Sequence, residues 1–174
     1  MTDLNRIKAF AFDIDGVATD GSILCTQDGD LLRIYDAKDG FAIRMAVMHG
    51  YPVAVITGGS SETIRKRMVT SGIKAEDIFL HCRDKREQFR MFCDRYDLLP
   101  EEVMYFGDDV PDIDIIRESG CGVCPCDAVQ EVREAADLVS TRPGGKGCLR
   151  EVIEMTLRSH GAWTFDPVVY KQKF

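Results

Sequence analysis

A chain of 174 residues with a net charge of −7 is about one domain, long enough to bury a sizeable core. The negative sign speaks against nucleic acid and against an anionic membrane as partner. No apolar run approaches the roughly 18 residues that would span a bilayer, and no charged-then-apolar leader opens the chain, so the cytoplasm is the expected compartment.

Ile7 to Phe12 reads as a buried strand. It runs into Asp13-Ile14-Asp15-Gly16, placing two carboxylates at its carboxyl end, where open α/β sheets bind ligands. Taken alone, Asp-x-Asp-Gly is also an ordinary turn. Next, Ile23 to Thr26 and Leu31 to Tyr35 flank Gln27-Asp28-Gly29-Asp30 and predict a hairpin within residues 22–36. Its apolar positions would be exposed on a lone arm, so it is expected to pack against another subunit. Gly40 to His49 has apolar residues at helical spacing, with Asp39 as N-cap and Gly50 as stop.

A strand over Val53 to Ile56 leads into Thr57-Gly58-Gly59-Ser60-Ser61, and one of the serines caps a helix carrying Ile64, Met68 and Val69. A strand to Leu80, a helix over Lys85 to Tyr96, a strand at Val103 to Phe106 and a helix begun by Pro111 follow. The remaining elements are a strand at Gly122 to Cys124, a helix at Val129 to Ala136, a strand at Leu138 to Ser140 and a helix at Leu149 to Ser159. Such alternation predicts one domain over 1–174, an α/β fold with a doubly wound, mostly parallel, Rossmann-like sheet flanked by helices. Seven cysteines, an odd number, read as reduced thiols. Cys121, Cys124 and Cys126 lack a second pair at zinc-site spacing and read as small apolar residues of a buried strand.

Four apolar runs end in reactive residue types: Asp13-x-Asp15, Thr57-Gly58, the later Asp84-Lys85, and Gly107-Asp108-Asp109 with Asp112. In this order they resemble the haloacid dehalogenase superfamily of aspartate-dependent phosphatases. With Lys38-Asp39-Gly40 and the late segment Gly144 to Glu151, the likeness narrows to the 3-deoxy-D-manno-octulosonate 8-phosphate phosphatases and covers nearly the whole chain. The resemblance implies a capless fold, Mg²⁺ as cofactor, a small phosphorylated sugar acid of lipopolysaccharide biosynthesis as substrate, and a homotetramer assembled through the hairpin. A related nine-carbon keto sugar acid phosphate is the alternative substrate.

Phosphate-ester hydrolysis needs a nucleophile, and the resemblance gives that role to Asp13, whose carboxylate would form an aspartyl-phosphate. Asp15 would protonate the leaving alcohol and then deprotonate the attacking water, and like charge from neighbouring carboxylates would favour the protonated form it needs first. Mg²⁺ suits hard oxygen ligands. The expected set is the Asp13 carboxylate, the Asp15 backbone carbonyl and the Asp108 carboxylate, supported by Asp109 and Asp112. Thr57 and Lys85 would bind the phosphoryl oxygens. By resemblance, Asp36, Lys38, Asp39, Gly40, Arg44, Gly58 and Arg67 lie near the sugar acid, whose carboxylate suits arginine. As residues alone, Arg44 and Arg67 are equally well read as ordinary polar helix faces. Two positions depart from the family pattern: Gly59, where many relatives carry Arg, and His81-Cys82, where a glycine is usual.

Arg142-Pro143-Gly144-Gly145-Lys146-Gly147 is basic and glycine-rich but lacks the spacing of a nucleotide P-loop. In the family this region lies near the site, and the tail over 160–174 would reach a neighbour's site. Trp163 is otherwise read as packing the last helix on the body. A receiver-like signalling domain uses similar residues in a different order, and a noncatalytic oligomerisation module would have lost motif residues that this chain keeps.

Overall fold

In β1 (Ala9–Phe12), Phe10 and Phe12 alternate with Ala9 and Ala11, and all four are fully buried. Large side chains therefore fill one face of the strand and small ones the other. The computed structural model describes residues 3–174. After β1 come a short antiparallel pair, β2 (Leu24–Cys25) and β3 (Leu31–Leu32), then α1 (Ala37–Met48), β4 (Val53–Ile56), α2 (Glu62–Val69) and β5 (Ile78–Phe79). The second half runs α3 (Lys85–Arg95), β6 (Val103–Phe106), α4 (Ile113–Glu118), β7 (Cys121–Cys124), α5 (Gln130–Ala135), β8 (Leu138–Val139), α6 (Cys148–Ser159) and α7 (Pro167–Lys173).

Six strands form one parallel sheet in the order β5-β4-β1-β6-β7-β8, the doubly wound arrangement expected. Helices α1, α2 and α6 cover the face that carries Phe10, Phe12, Met104 and Phe106. Helices α3, α4 and α5 cover the face of Ala9, Ala11, Ile56 and Tyr105. Cys121 packs into the first of these cores and Cys124 into the second. The C-x-x-C pair thus points to opposite sides of β7, which no shared metal ion can bridge.

The order reverses at β1, whose successor β4 lies on one side and β6 on the other. Phe12 is level with Val55 across one ladder and with Phe106 across the other. Asp13, Thr57 and Asp108, each one or two residues beyond a strand end, consequently emerge together at the switch point.

Boundaries differ from expectation where a cap competes. The helix read from Gly40 begins at Ala37, because Asp36 rather than Asp39 is its N-cap and accepts hydrogen bonds from the Lys38 and Asp39 amides. Asp39 lies inside the first turn, buried. Pro111 belongs to a 3₁₀ turn, Val110–Asp112, that precedes α4. Helix α7 was not legible in the sequence; Asp166 caps it and Pro167 opens it. Among the described residues no helix is long and apolar enough to cross a membrane.

Candidate active site

The loop after β1 is shaped by glycine. Gly16 has φ +88°, and a methyl group on it would fall on the Asp108 carboxylate. The absent side chain is what lets Asp108 lie against the loop that carries Asp13 and Asp15. Asp13, 8% exposed, receives the Ile14 amide on Oδ1 at 2.6 Å and the Lys85 ammonium on Oδ2 at 2.6 Å. Lys85 reaches the site from the first turn of α3, whose N-cap is Asp84. Its Nζ also donates to Asp112 Oδ1 at 2.7 Å. Burial works against the Lys85 charge, but the facing charges of Asp13 and Asp112 prevail and hold it above the ordinary lysine range.

Asp112 is fully occupied. Its Oδ1 accepts the Tyr105 hydroxyl at 2.6 Å beside Lys85, and its Oδ2 accepts the Asp108 and Asp109 amides at 3.2 and 3.4 Å. Four donors fill a carboxylate's acceptor sites, so Asp112 orients the Gly107-Asp108-Asp109 turn and the ammonium. Asp108 is the opposite case: its Oδ1 is buried and has no hydrogen-bond partner. One oxygen each from Asp13, Asp108 and Asp112 lie within 4.8 Å of one another. Burial, aided by the charges of Asp13 and Asp112, pushes Asp108 up to about 7. Burial likewise raises Asp13 to about 6 against the pull of Lys85. A buried, partly unpartnered group of carboxylates is what a hard divalent cation would stabilise, and these residues fit one.

These groups line a cleft of about 490 Å³, together with Asp15, Gly21, Thr57, Gly58, Gly59, Cys82, Arg83 and Pro111. In a hollow of about 530 Å³ between Arg6, Glu101, Arg117 and Asp137, the buried hydroxyl is that of Ser119, which donates to the Ile116 carbonyl at 3.2 Å with no histidine, lysine or thiol among the described residues of the lining to activate it. Thr57 is buried at the end of β4, where its Oγ1 receives the Gly59 amide at 3.1 Å. His81 takes a left-handed φ of +56° beside Cys82, a conformation that glycine adopts more readily. Burial pushes the Cys82 thiol up to about 11, so it is no rival nucleophile at neutral pH.

Asp15 departs from expectation. The expected influence on it was that of neighbouring carboxylates, whereas both of its oxygens are held by the guanidinium of Arg33, whose Nε and Nη2 donate at 2.6 and 2.9 Å. Arg33, Arg83 and Tyr105 were missed in the sequence. Nothing in a hairpin's local pattern says that its last residues turn inward, and Tyr105 reads simply as a strand aromatic.

Of the residues expected near the sugar acid, only Gly58 is on the cleft lining. Asp36 caps α1 and Lys38 is exposed. The Asp39 carboxylate accepts the Gly147 and Arg150 amides at 3.2 and 2.7 Å, doing for α6 what an N-cap side chain would do. Arg44 donates to the Thr70 carbonyl and the Tyr170 hydroxyl and stacks on Phe174, so it fastens α7 to α1. Arg67 lies against Gly40, under the Tyr35 ring, with Nη1 on Ser71 Oγ. The tail packs on its own body: Trp163 meets Phe41 edge-on, with the Arg150 guanidinium 4.7 Å from its ring centre.

The late glycines brace the loop that carries Asp13 and Asp15. Gly145 donates to the Val17 carbonyl at 2.8 Å, and Gly144 rests against the Gly16 carbonyl so closely that a methyl group has no room. Because the obstacle is backbone, Gly144→Ala is expected to cost about 2 kcal/mol or more of stability and to lower turnover. Urea denaturation beside a phosphate-release assay checks both, and a variant with unchanged midpoint would refute the bracing role.

The profile of the haloacid dehalogenase-like hydrolases matches residues 52–149. A 3-deoxy-D-manno-octulosonate 8-phosphate phosphatase, KdsC, from Salmonella typhi is 32% identical over 161 residues, 92% of this chain and 85% of that protein. The chain belongs to the haloacid dehalogenase-like hydrolase family. Two solved structures extend the likeness of this hydrolase to the fold. The 3-deoxy-D-manno-octulosonate 8-phosphate phosphatase of Moraxella catarrhalis, in complex with magnesium, phosphate and KDO, superposes with a TM-score of 0.86 at 30% identity, over 90% of this chain and 88% of that one. The cobalt-bound enzyme of Haemophilus influenzae gives 0.88 at 31%, over 98% and 99%.

Proposed function

We propose that this phosphatase hydrolyses 3-deoxy-D-manno-octulosonate 8-phosphate to the free sugar acid and inorganic phosphate, with Mg²⁺ and through an aspartyl-phosphate. The observation that carries the reading is the buried contact of Lys85 with both Asp13 and Asp112, beside the unpartnered Asp108 oxygen. That arrangement has a nucleophile, a charge to steady it and room for a cation. The curated relatives of that activity, which match over most of their length, supply the substrate class.

The Asp13 and Asp108 carboxylates and the Asp15 backbone carbonyl would hold Mg²⁺, which when bound screens the repulsion between carboxylate and phosphate dianion. Asp13, ionised at neutral pH, attacks phosphorus while Lys85 and the Thr57 turn hold the equatorial oxygens. Asp15 gives its proton to the sugar oxygen as the phosphorus–oxygen bond breaks. It then takes a proton from the water that attacks phosphorus and releases Asp13. Tyr105, Asp109 and Asp112 keep the ammonium and the Asp108 turn in place. The exposed Ile23, Leu24, Leu32 and Ile34 of the hairpin support assembly through residues 22–36 into a homotetramer, and the cytoplasm is the proposed compartment.

Phosphate release from a panel of phosphorylated eight- and nine-carbon keto acids, with and without Mg²⁺, tests the assignment. The highest kcat/KM is expected for the eight-carbon ester, and a preference for the nine-carbon one would reassign the substrate. Metal binding should also be linked to protons. Asp108, at about 7, and Asp13, at about 6, must be ionised to bind a cation, so affinity falls as pH drops through that range. The rise in Tm given by Mg²⁺ should accordingly be larger at about pH 8 than at about pH 5.5. Calorimetric titration near neutrality should register proton release, and an affinity independent of pH would remove both acids from the ligand set.

A further inference from the structure

Arg33 reaches Asp15, at the cleft wall, from outside the catalytic motifs. It follows β3 by one residue, yet its side chain is only 3% exposed, whereas the Asp15 carboxylate it grips is 27% exposed. The grip is two-pronged, Nε to Oδ1 and Nη2 to Oδ2, the geometry in which a guanidinium fixes a carboxylate in both position and rotation. Nη1 is anchored in turn on the Leu31 carbonyl at 3.3 Å, inside the hairpin. On the other side Nη2 lies 3.4 Å from where a Gly59 side chain would begin, so the Gly59 backbone borders the guanidinium at ordinary contact distance. Resting on the reading of Asp15 as proton donor, we propose that Arg33 is a positioning residue for the first chemical step. It aims the Asp15 carboxyl at the leaving oxygen and receives the carboxylate produced there.

Atoms balance in that step as follows. An Asp13 oxygen bonds to phosphorus, and the phosphorus–sugar oxygen bond breaks with its electron pair going to the sugar oxygen. The Asp15 proton goes to the same oxygen, and the resulting carboxylate is taken up by two guanidinium N–H groups. The two N–H contacts seen in the structure, Nε to Oδ1 and Nη2 to Oδ2, are the ones that would take it up. Arginine holds its own charge throughout, so the hairpin supplies a fixed cation to the most exposed carboxylate of the pair.

An ester whose leaving group needs no proton separates this role from a merely structural one. With the Mg²⁺-loaded full-length protein, kcat/KM would be compared on 3-deoxy-D-manno-octulosonate 8-phosphate and on 4-nitrophenyl phosphate, for wild type, Arg33→Met, Arg33→Lys, Asp15→Asn and the Arg33→Met/Asp15→Asn pair. The loss in Arg33→Met is expected to be about tenfold or more on the sugar phosphate and several times smaller on the aryl ester, against a general-acid contribution of about 10²–10⁴. Arg33→Lys, which keeps charge but not the fork, should fall between. The double variant should be no slower than Asp15→Asn, because residues acting as a unit are not additive. Equal losses on both esters, or additive losses in the double variant, would overturn the proposal while leaving the phosphatase reading intact. Failure of the wild type to turn over either ester would overturn the reading itself, and the role of Arg33 with it.

Discussion

Replacing Asp13 by Asn is expected to reduce phosphate release to background, a loss of at least about 10⁴-fold, while the fold survives. An amide cannot displace the sugar oxygen from phosphorus, and neither Asp112 nor Cys82 can substitute for it. Asp112 is saturated by four donors, and the Cys82 thiol is pushed up to about 11 by burial. Stability should change little, because Lys85 keeps Asp112 as its partner and the cluster loses one of its mutually repelling charges. Acid-quenched single-turnover reactions with labelled substrate should leave label on the Asp13 peptide in wild type and none in the variant. Turnover by Asp13→Asn equal to wild type would end the assignment of Asp13 as nucleophile.

What the sequence made legible was local. Phe10 and Phe12 alternating with alanines announce a strand, Asp13 and Asp15 fall at its end, and the apolar periodicity of Ile43, Met45 and Ala46 marks α1. Order along the chain was enough to bring Asp13, Thr57, Lys85 and Asp108 together, since parallel strands with level ends leave their following loops side by side. Partner choice was not legible. Asp39 has the residue type and place of an N-cap for its own helix, and only the packing of α6 against α1 shows that it serves the other. Arg44 and Arg67 were open between the sugar acid and plain helix faces, and tertiary contacts from Tyr170 and Tyr35 decided where they lie. Arg33 is a charged residue on an exposed hairpin whose inward turn depends on an acid 18 positions earlier, a pairing that neither periodicity nor turn chemistry encodes.

Lys85→Met should produce the largest loss of stability of any single change in the cleft, about 3–5 kcal/mol near pH 7.5, because it strips the cation from buried carboxylates that remain. Among the described residues Lys85 is the one ammonium in contact with both Asp13 and Asp112, and Asp108 lies beside them. Removing it pushes Asp13 and Asp108 further above the values of about 6 and about 7 that burial already imposes. A carboxyl raised in the folded protein binds its proton before the unfolded chain does, so folding is favoured as pH falls through the folded value toward the ordinary carboxylate range near 4. The deficit of the variant should therefore shrink between about pH 7.5 and about pH 5.5, the direction opposite to that of a carboxylate stabilised by its partner. Mg²⁺ should recover part of the loss at the higher pH by placing positive charge among the same oxygens, and should recover little at the lower one, where protons already occupy them. Urea denaturation at both pH values, in Mg²⁺ and in a chelator, measures all four cases. A deficit that ignores both pH and metal would mean that the lysine contributes through its packed stem rather than through its charge, and the electrostatic account of the cleft would fail with it.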